Sequence, residues 1–381
     1  MFVRKTFQFR LRPTKAQAKL LEAQLNECRW LYNELLSQRK IAHEELDISL
    51  SKYQQLMFLP LLKEERPALT TVHSQVLQNI VDRLDKSYQA FFRRCKAGEK
   101  PGFPRFRGVH RYNSFCYPQS GFTLLGKEIS LSKIGRIRIK QHRSLQGEIK
   151  TCTIKKTASG EWDISLSCEV KPLVLEPTTG AVGLDVGIES FVTFSNGISI
   201  GNPKFFKKGE KALAKAQRKL SKLEKGTKER GKAGKVVAKI HERIKNQRKD
   251  FCHKQAKKIV DHYQYIFIED LNIKKMMEGS HFAKSIADVS WNQFRQFLTY
   301  KAAEAGRKLG LVNPAYTTQK CSQCHHVAPK KISERMHHCS QCGYRVHRDI
   351  NAARNILALG LDGLGLSLEA FAFWRGSSHD S

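Results

Sequence analysis

Four cysteines and three carboxylates are the residues of this chain whose types and spacing point to chemistry. Cys321-x-x-Cys324 and Cys339-x-x-Cys342 form two tight knuckles. Two such pairs supply four thiolates at the spacing that closes a tetrahedral site around one Zn²⁺. Four protein ligands leave no coordination position for a substrate, so this zinc is expected to be structural. His325, His326, His337 and His338 flank the knuckles and offer a His-for-Cys exchange that four cysteines do not need.

The second group is acidic. Asp185 interrupts the apolar run AVGLDVG, Glu269 and Asp270 end the apolar run YIFIED, and Asp349 opens the helical pattern RDINAARNI. Singly, each has an ordinary explanation, because carboxylates cap turns and satisfy free N–H groups at helix starts. Taken in order, a strand with an Asp, a hairpin, a later strand ending in Glu and a still later helix bearing Asp follow the plan of an RNase H-like nuclease core. Converging carboxylates repel: at about 4 Å each pair costs roughly 4 kcal/mol at an effective dielectric near 20. Divalent cations reverse that sign, and an all-oxygen site with open positions suits Mg²⁺, with Mn²⁺ as a substitute. In a two-metal site one ion activates a water and the other stabilises the departing 3′ oxygen of a phosphodiester.

The rest of the chain must hold a polyanion against that acidic centre. Lys and Arg total 67 of 381 residues against 35 for Asp and Glu, a formal net charge of +32. Nucleic acid is the commonest partner of such an excess, although charge also serves solubility. The length allows several domains. Cys28, Cys95, Cys116, Cys152, Cys168 and Cys252 are scattered rather than paired, which fits metal use in a reducing cytosol and not a disulfide framework. The N-terminal MFVRKTFQFRLRPTK lacks the apolar stretch of a signal peptide, and no run of roughly 18 apolar residues predicts a membrane span.

Periodicity places the motifs on elements. VRKTFQFRL alternates as a strand, and Thr14 with Gln17 reads as a capping box opening a helical region over 14–98. KPGFPRFRG, 100–108, is a basic aromatic loop. GRIRIK, GEIKTCTIKK and EWDISLSCEV return to period two, so they and the first strand are expected to form one barrel with the helices inserted. KPLVLEPTTG is a linker. AVGLDVGIESFVTFSNGISIGN gives an apolar strand and two alternating strands around Asn196-Gly197, a strong hairpin signal. Residues 204–258 read as a basic helical hairpin broken at KGTKERGKAG. YQYIFIEDLN is a strand, WNQFRQFLTYKAAEAGRKLG an amphipathic helix and LVNPAYTT a further strand. After residue 358 the pattern fades into a loose tail.

At GLDVGIES, IEDLN, CSQC, CSQCG and VHRDINAARNI, with FQFRLRPTKAQ, CRWLYN and GFPRFRG upstream, the sequence resembles the TnpB (OrfB-type) transposon proteins, relatives of the type V CRISPR effector nucleases. The resemblance covers nearly the whole chain except the tail. It implies a multidomain α+β protein. A wedge-like β-barrel (1–12 and 111–178) would be interrupted by a helical recognition lobe (13–110). A RuvC-type, RNase H-like core (179–319) would carry the hairpin 204–258, followed by a zinc ribbon (320–343), a last RuvC helix (344–360) and a flexible tail (361–381).

It further implies Asp185, Glu269 and Asp349 as catalytic acids holding two Mg²⁺, and Cys321, Cys324, Cys339 and Cys342 as ligands of one zinc. The implied partners are a guide RNA derived from the transposon end and double-stranded DNA cut beside a short transposon-adjacent motif. The assembly would be a monomeric ribonucleoprotein, with no membrane partner, in a prokaryotic cytoplasm at the nucleoid. Tyr53, Gln75, Gln78, Asn79 and Ser114 are candidates to read the motif, since amide side chains suit base edges; polar residues on an exposed helix face would look the same. Arg105 and Arg107 are candidates to hold phosphates. The alternatives are a zinc-containing nucleic-acid-binding transposition regulator, or a transposase that joins strands with the same acidic trio. Because the second knuckle lies just before Asp349, the ribbon is expected to set where that helix starts.

Overall fold

The computed structural model describes residues 2–178, 180–278, 281–330 and 334–366. The chain divides into two units, 1–171 and 172–381.

In the first unit, β1 (Val3–Arg12) leads into α1 (Lys15–Leu46). Thr14 and Gln17 cap α1 reciprocally, the Gln17 N–H donating to Thr14 Oγ1 at 3.2 Å and the Thr14 N–H to Gln17 Oε1 at 3.0 Å. Ser51 and Gln54 repeat the device at α2 (Lys52–Met57), and α3 (Leu59–Glu65) and α4 (Ser74–Lys96) follow. Six strands complete the unit: β2 (Ser114–Tyr117), β3 (Phe122–Leu125), β4 (Glu128–Leu131), β5 (Gly135–Lys140), β6 (Glu148–Lys156) and β7 (Trp162–Val170). They join β1 in one antiparallel sheet of order β2-β6-β7-β1-β5-β4-β3. β1 pairs with β7 over residues 3–10 and with β5 over 10–12, so one long strand serves two neighbours. The edge strands β2 and β3 share no ladder among the described residues; Tyr117 instead meets Phe122 ring to ring at 6.4 Å. Phe7, Phe9 and Leu11 of β1 and Leu21, Leu31 and Leu35 of α1 bury into one core with Val76, Leu77 and Ile80 of α4.

The second unit is built on a mixed sheet of order β10-β9-β8-β11-β12. β8 (Ala181–Asp185), β9 (Ser190–Phe194) and β10 (Ser199–Gly201) run antiparallel in succession; β11 (Tyr265–Glu269) and β12 (Lys308–Val312) lie parallel to β8. Asn196-Gly197 makes the β9–β10 turn, with Gly197 at φ +91. β9 is buried on both faces rather than alternating. Between β10 and β11 come α5 (Phe205–Ser221) and α6 (Lys228–His262); after β11 come α7 (Ile273–Met277), α8 (Ala283–Val289) and α9 (Trp291–Glu304). β13 (Met336–His338) and β14 (Arg345–His347) form a small ribbon ahead of α10 (Arg348–Asp362).

Four expectations are corrected. The break in the helical hairpin is short, because Thr227 Oγ1 accepts from the Arg230 N–H and starts α6 inside KGTKERGKAG. α6 then runs past residue 258 to His262. The strand expected at LVNPAYTT is β12, which begins earlier, at Lys308, and ends at Val312 before Pro314. The last helix extends beyond residue 360 to Asp362, because Leu361 is buried with Phe267 and Val312. The remainder of the expected tail, 367–381, lies outside the described residues. Among the described residues no helix is long and apolar enough to cross a membrane.

Candidate functional site

Strand register brings the first two acids together. β8 and β11 are adjacent and parallel, with Leu184 opposite Ile268. Asp185 and Glu269 each come one residue later, at neighbouring strand ends about 4.8 Å apart across the sheet.

The third acid arrives on α10. An ideal Cβ on Gly183 would lie 2.1 Å from the Ala353 carbonyl oxygen and 2.6 Å from the Leu357 nitrogen. Glycine is therefore what lets α10 sit directly on β8. Asp185 follows Gly183 by two residues on the same face of the strand. Asp349 precedes Ala353 by four, about 6 Å back along the helix. Both acids thus lie roughly 6 Å from one point of contact. α10 crosses the sheet obliquely: the Arg354 Nε–H donates to Ser195 O at 3.3 Å at one end, and Gly360 leaves room for the Phe267 ring at the other.

Asp185, Glu269 and Asp349 are 9%, 8% and 8% exposed, so all three carboxylates are desolvated together. Burial holds the Asp185 carboxyl well above its usual range, the charges of Glu269 and then Asp349 raise it further, and Arg348 partly offsets them. Burial also raises Glu269, opposed by the Thr317 hydroxyl, which donates to Glu269 Oε1 at 2.5 Å. The Arg348 Nε–H donates to Asp349 Oδ1 at 3.3 Å. Asp270 is not part of the group; it is exposed and ion-paired with Arg295.

The four cysteines also converge. Their sulfurs all lie within 4.8 Å of one another, with Cys321 Sγ 3.8 Å from Cys342 Sγ and Cys324 Sγ 3.5 Å from Cys339 Sγ. A tetrahedral ion with Zn–S near 2.3 Å needs sulfurs about 3.8 Å apart, so this cluster could hold one zinc. Backbone N–H donation from Cys342 lowers the Cys339 thiol, toward the thiolate that metal binding uses, while burial and the neighbouring thiols raise Cys342. None of the four flanking histidines enters the cluster; His337 is buried beside Tyr344, its Nδ1 against the Lys330 ammonium. Among the described residues the four cysteines are the one group of three or more such ligands drawn together in this way.

Hydrogen bonds absent from the sequence reading join the two centres. Asn351 Nδ2 donates to Lys320 O at 2.8 Å, and the Ser322 N–H donates to Asn351 Oδ1 at 2.9 Å. Asn355 Nδ2 donates to Thr317 O at 2.8 Å and to Lys320 O at 2.6 Å. Both asparagines are buried within α10. The first knuckle is thus clamped to the helix that carries Asp349, and the same segment presents Thr317 to Glu269. Spacing pointed to the second knuckle as the support; the observed side-chain bonds run to the first. The polar residues inside the otherwise apolar face of INAARNI were the available signal.

The nucleic-acid candidates lie in the first unit. Gln75, Gln78 and Asn79 share one face of α4, and Tyr53 is exposed on α2, which Lys52 ties to Asp82 of α4 at 2.5 Å. Gln75 is engaged, its Oε1 accepting from the Ser120 N–H at 2.9 Å and hydroxyl at 3.0 Å. Asn79 Oδ1 is buried without a protein donor, and Ser114, at the start of β2, gives its carbonyl to Arg83 at 2.6 Å. Arg105 and Arg107 are exposed; the Arg107 guanidinium lies 5.6 Å from the Tyr32 ring centre and its backbone is fixed by Asn33.

Comparison with known proteins shows what the chain is similar to. Residues 165–279 match the OrfB_IS605 family, described as a probable transposase; 291–356 match a Cas12f1-like TNB domain; and 1–47 match the family's helix-turn-helix domain. A putative RNA-guided DNA endonuclease of Streptomyces pristinaespiralis is 32% identical over 373 residues, covering 94% of this chain and 90% of that protein. The putative RNA-guided DNA endonuclease InsQ of Escherichia coli K12 is 31% identical over 376 residues, covering 93% and 92%. The CRISPR-associated endodeoxyribonuclease Cas12f1 of Sulfoacidibacillus thermotolerans is 34% identical over 140 residues, covering 35% and 32%.

Proposed function

The chain belongs to the TnpB (OrfB, IS605-type) family of RNA-guided DNA endonucleases, and from that premise we propose the reaction it performs and the residues that perform it. It is an RNA-guided, metal-dependent endonuclease that hydrolyses phosphodiesters of double-stranded DNA beside a short transposon-adjacent motif. The guide RNA derives from the transposon end. The observation that carries this reading is the convergence of three buried carboxylates at the ends of β8 and β11 and the start of α10. The strand order, with two strands antiparallel in succession and two parallel to the first, supports a RuvC-type, RNase H-like core.

Asp185, Glu269 and Asp349 would hold two Mg²⁺, or Mn²⁺ in its place. The donor set fits: it is all oxygen and desolvated, the chemistry that hard divalent cations take. When bound, the ions supply water activation and stabilisation of the leaving 3′ oxygen. The chain's own residues prepare that chemistry. Asp185 must be ionised, against its burial and its two acidic neighbours. The Thr317 hydroxyl orients the Glu269 carboxylate and opposes part of the rise that burial imposes on it. Arg348 offsets part of the negative charge, and α10 fixes Asp349 over the sheet. The zinc is structural, holding the first knuckle against α10. Base pairing to the guide would select the target, while Tyr53, Gln75, Gln78, Asn79 and Ser114 would face the flanking motif as the protein, not the guide, reads it. Arg105 and Arg107 would hold phosphates, and the particle would be a monomeric ribonucleoprotein.

Sequencing the RNA that copurifies with the chain, then programming cleavage with it, tests the reading. One defined RNA species and Mg²⁺-dependent cutting of a matched target, lost in Asp185→Ala, are expected. Random RNA fragments, or undiminished cutting by Asp185→Ala, would overturn it.

A further inference from the structure

The first unit carries an aromatic cluster that runs from its core out to the surface and that the carboxylate site does not use. At the end of α4, Tyr88 is buried, and around it Phe103 lies edge-on at 5.5 Å and Phe92 is stacked at 6.3 Å. Phe91 meets Phe92 at 5.2 Å and Phe103 at 5.3 Å. These four rings support one another, yet Phe92 remains 55% and Phe103 44% exposed; Phe106, three residues further along the same loop, is 51% exposed. Lys40 approaches the Phe106 ring at 5.9 Å. Exposed apolar rings gathered this closely are costly unless something covers them.

The charge around them says what. Between residues 92 and 107 stand Arg93, Arg94, Lys96, Lys100, Arg105 and Arg107 against the lone acid Glu99. All six cations are exposed, and none is ion-paired among the described residues. Aromatic faces set among unpaired cations match a single strand, whose bases stack and whose phosphates seek charge. They do not match an apolar protein helix, which the cations would repel from the rings by their need for water.

We propose that Phe92, Phe103 and Phe106 form a stacking platform for unpaired bases of RNA, with the flanking arginines on its phosphates. RNA is the occupant because its bases are splayed out in loops and ends before any duplex is opened, whereas the bases of target DNA are paired. This deepens the RNA partner of the proposed function and rests on that reading. Stacking is indifferent to base identity in hydrogen bonding but requires a base.

The test uses the full chain with a short oligoadenylate RNA, the same RNA with abasic positions, and the matching DNA, across a salt series. Phe92→Ala/Phe106→Ala is expected to weaken oligoadenylate binding about tenfold or more. The slope of log affinity against log salt should stay that of the wild type, because no phosphate contact is removed. Abasic RNA should bind wild type and variant alike, and Phe92→Trp/Phe106→Trp should retain wild-type affinity. Equal weakening toward abasic and intact RNA, or a flattened salt slope, would overturn the platform. Tighter, equally Phe-dependent binding of the DNA would overturn its assignment to RNA. If the wild type cuts a guided target while the alanine variant binds RNA normally, only the platform fails. If the wild type retains no defined RNA, the proposed function fails first.

Discussion

Replacing Gly183 by alanine tests the whole construction of the acidic site without touching an acid. The new Cβ would stand 2.1 Å from the Ala353 carbonyl oxygen and 2.6 Å from the Leu357 nitrogen. Ordinary contact begins near 3.4 Å, so α10 must lift by about 1.3 Å (3.4 − 2.1) or β8 must sink by as much. Both obstacles are backbone, so no rotamer change relieves them and trimming Ala353 to glycine cannot rescue the variant. Overpacking of this kind costs roughly 1–3 kcal/mol. Asp349 rides on the displaced helix one turn from the clash, and a 1 Å misplacement costs on the order of 100-fold in rate. Single-turnover cleavage of a matched target should therefore fall about 100-fold while zinc content and RNA binding stay normal. The contrast is Gly360→Ala, where the obstacle at 2.2 Å is the Phe267 side chain, so a second change, Phe267→Leu, should restore part of the rate. A Gly183→Ala protein that folds, keeps its zinc and cuts at the wild-type rate would refute the seating of α10 as the device that places Asp349.

Asp185→Asn should abolish cutting yet raise the melting temperature of the metal-free protein. A raised acid in the folded state binds protons that the unfolded chain releases, so native stability falls as pH rises from the usual aspartate value through the folded one. Removing that charge is expected to raise the melting temperature, each 1 kcal/mol gained showing as roughly 2–4 °C for a unit of this size; an unchanged or lower melting temperature contradicts the account. By the same sign, Mg²⁺ binding should release protons and tighten with rising pH, which calorimetry in buffers of different ionisation enthalpy reads directly. Thr317→Val removes the bond that lowers Glu269, so the acid limb of the pH–rate profile should move to higher pH, and an unmoved limb would exclude that role. Cys339→Ala/Cys342→Ala should lose zinc and cutting together, because the first knuckle then no longer clamps Asn351 and Asn355; full activity without zinc would sever the two centres.

What could be read before folding was chemistry carried by local pattern. Two Cys-x-x-Cys pairs declare a metal cage because four thiolates at that spacing have one common use. A charged residue within a buried strand declares itself because burial without purpose is costly. The capping box at Thr14 and the Asn196-Gly197 turn were legible for the same reason: their bonds close within a few residues. Tertiary structure decided everything that depends on two distant segments touching. The meeting of Asp185 with Glu269 follows from the register of parallel strands 84 residues apart (269 − 185), which no local spacing encodes. Gly183 reads in sequence as one small residue in a strand, and only the carbonyl of Ala353 above it gives its missing Cβ a meaning. Asn351, Asn355 and Thr317 look like polar interruptions of apolar stretches until their partners on the 317–322 segment arrive. The residue types set which ions each centre can hold, and the packing of α10 across β8 sets whether the carboxylates stand close enough to hold them together.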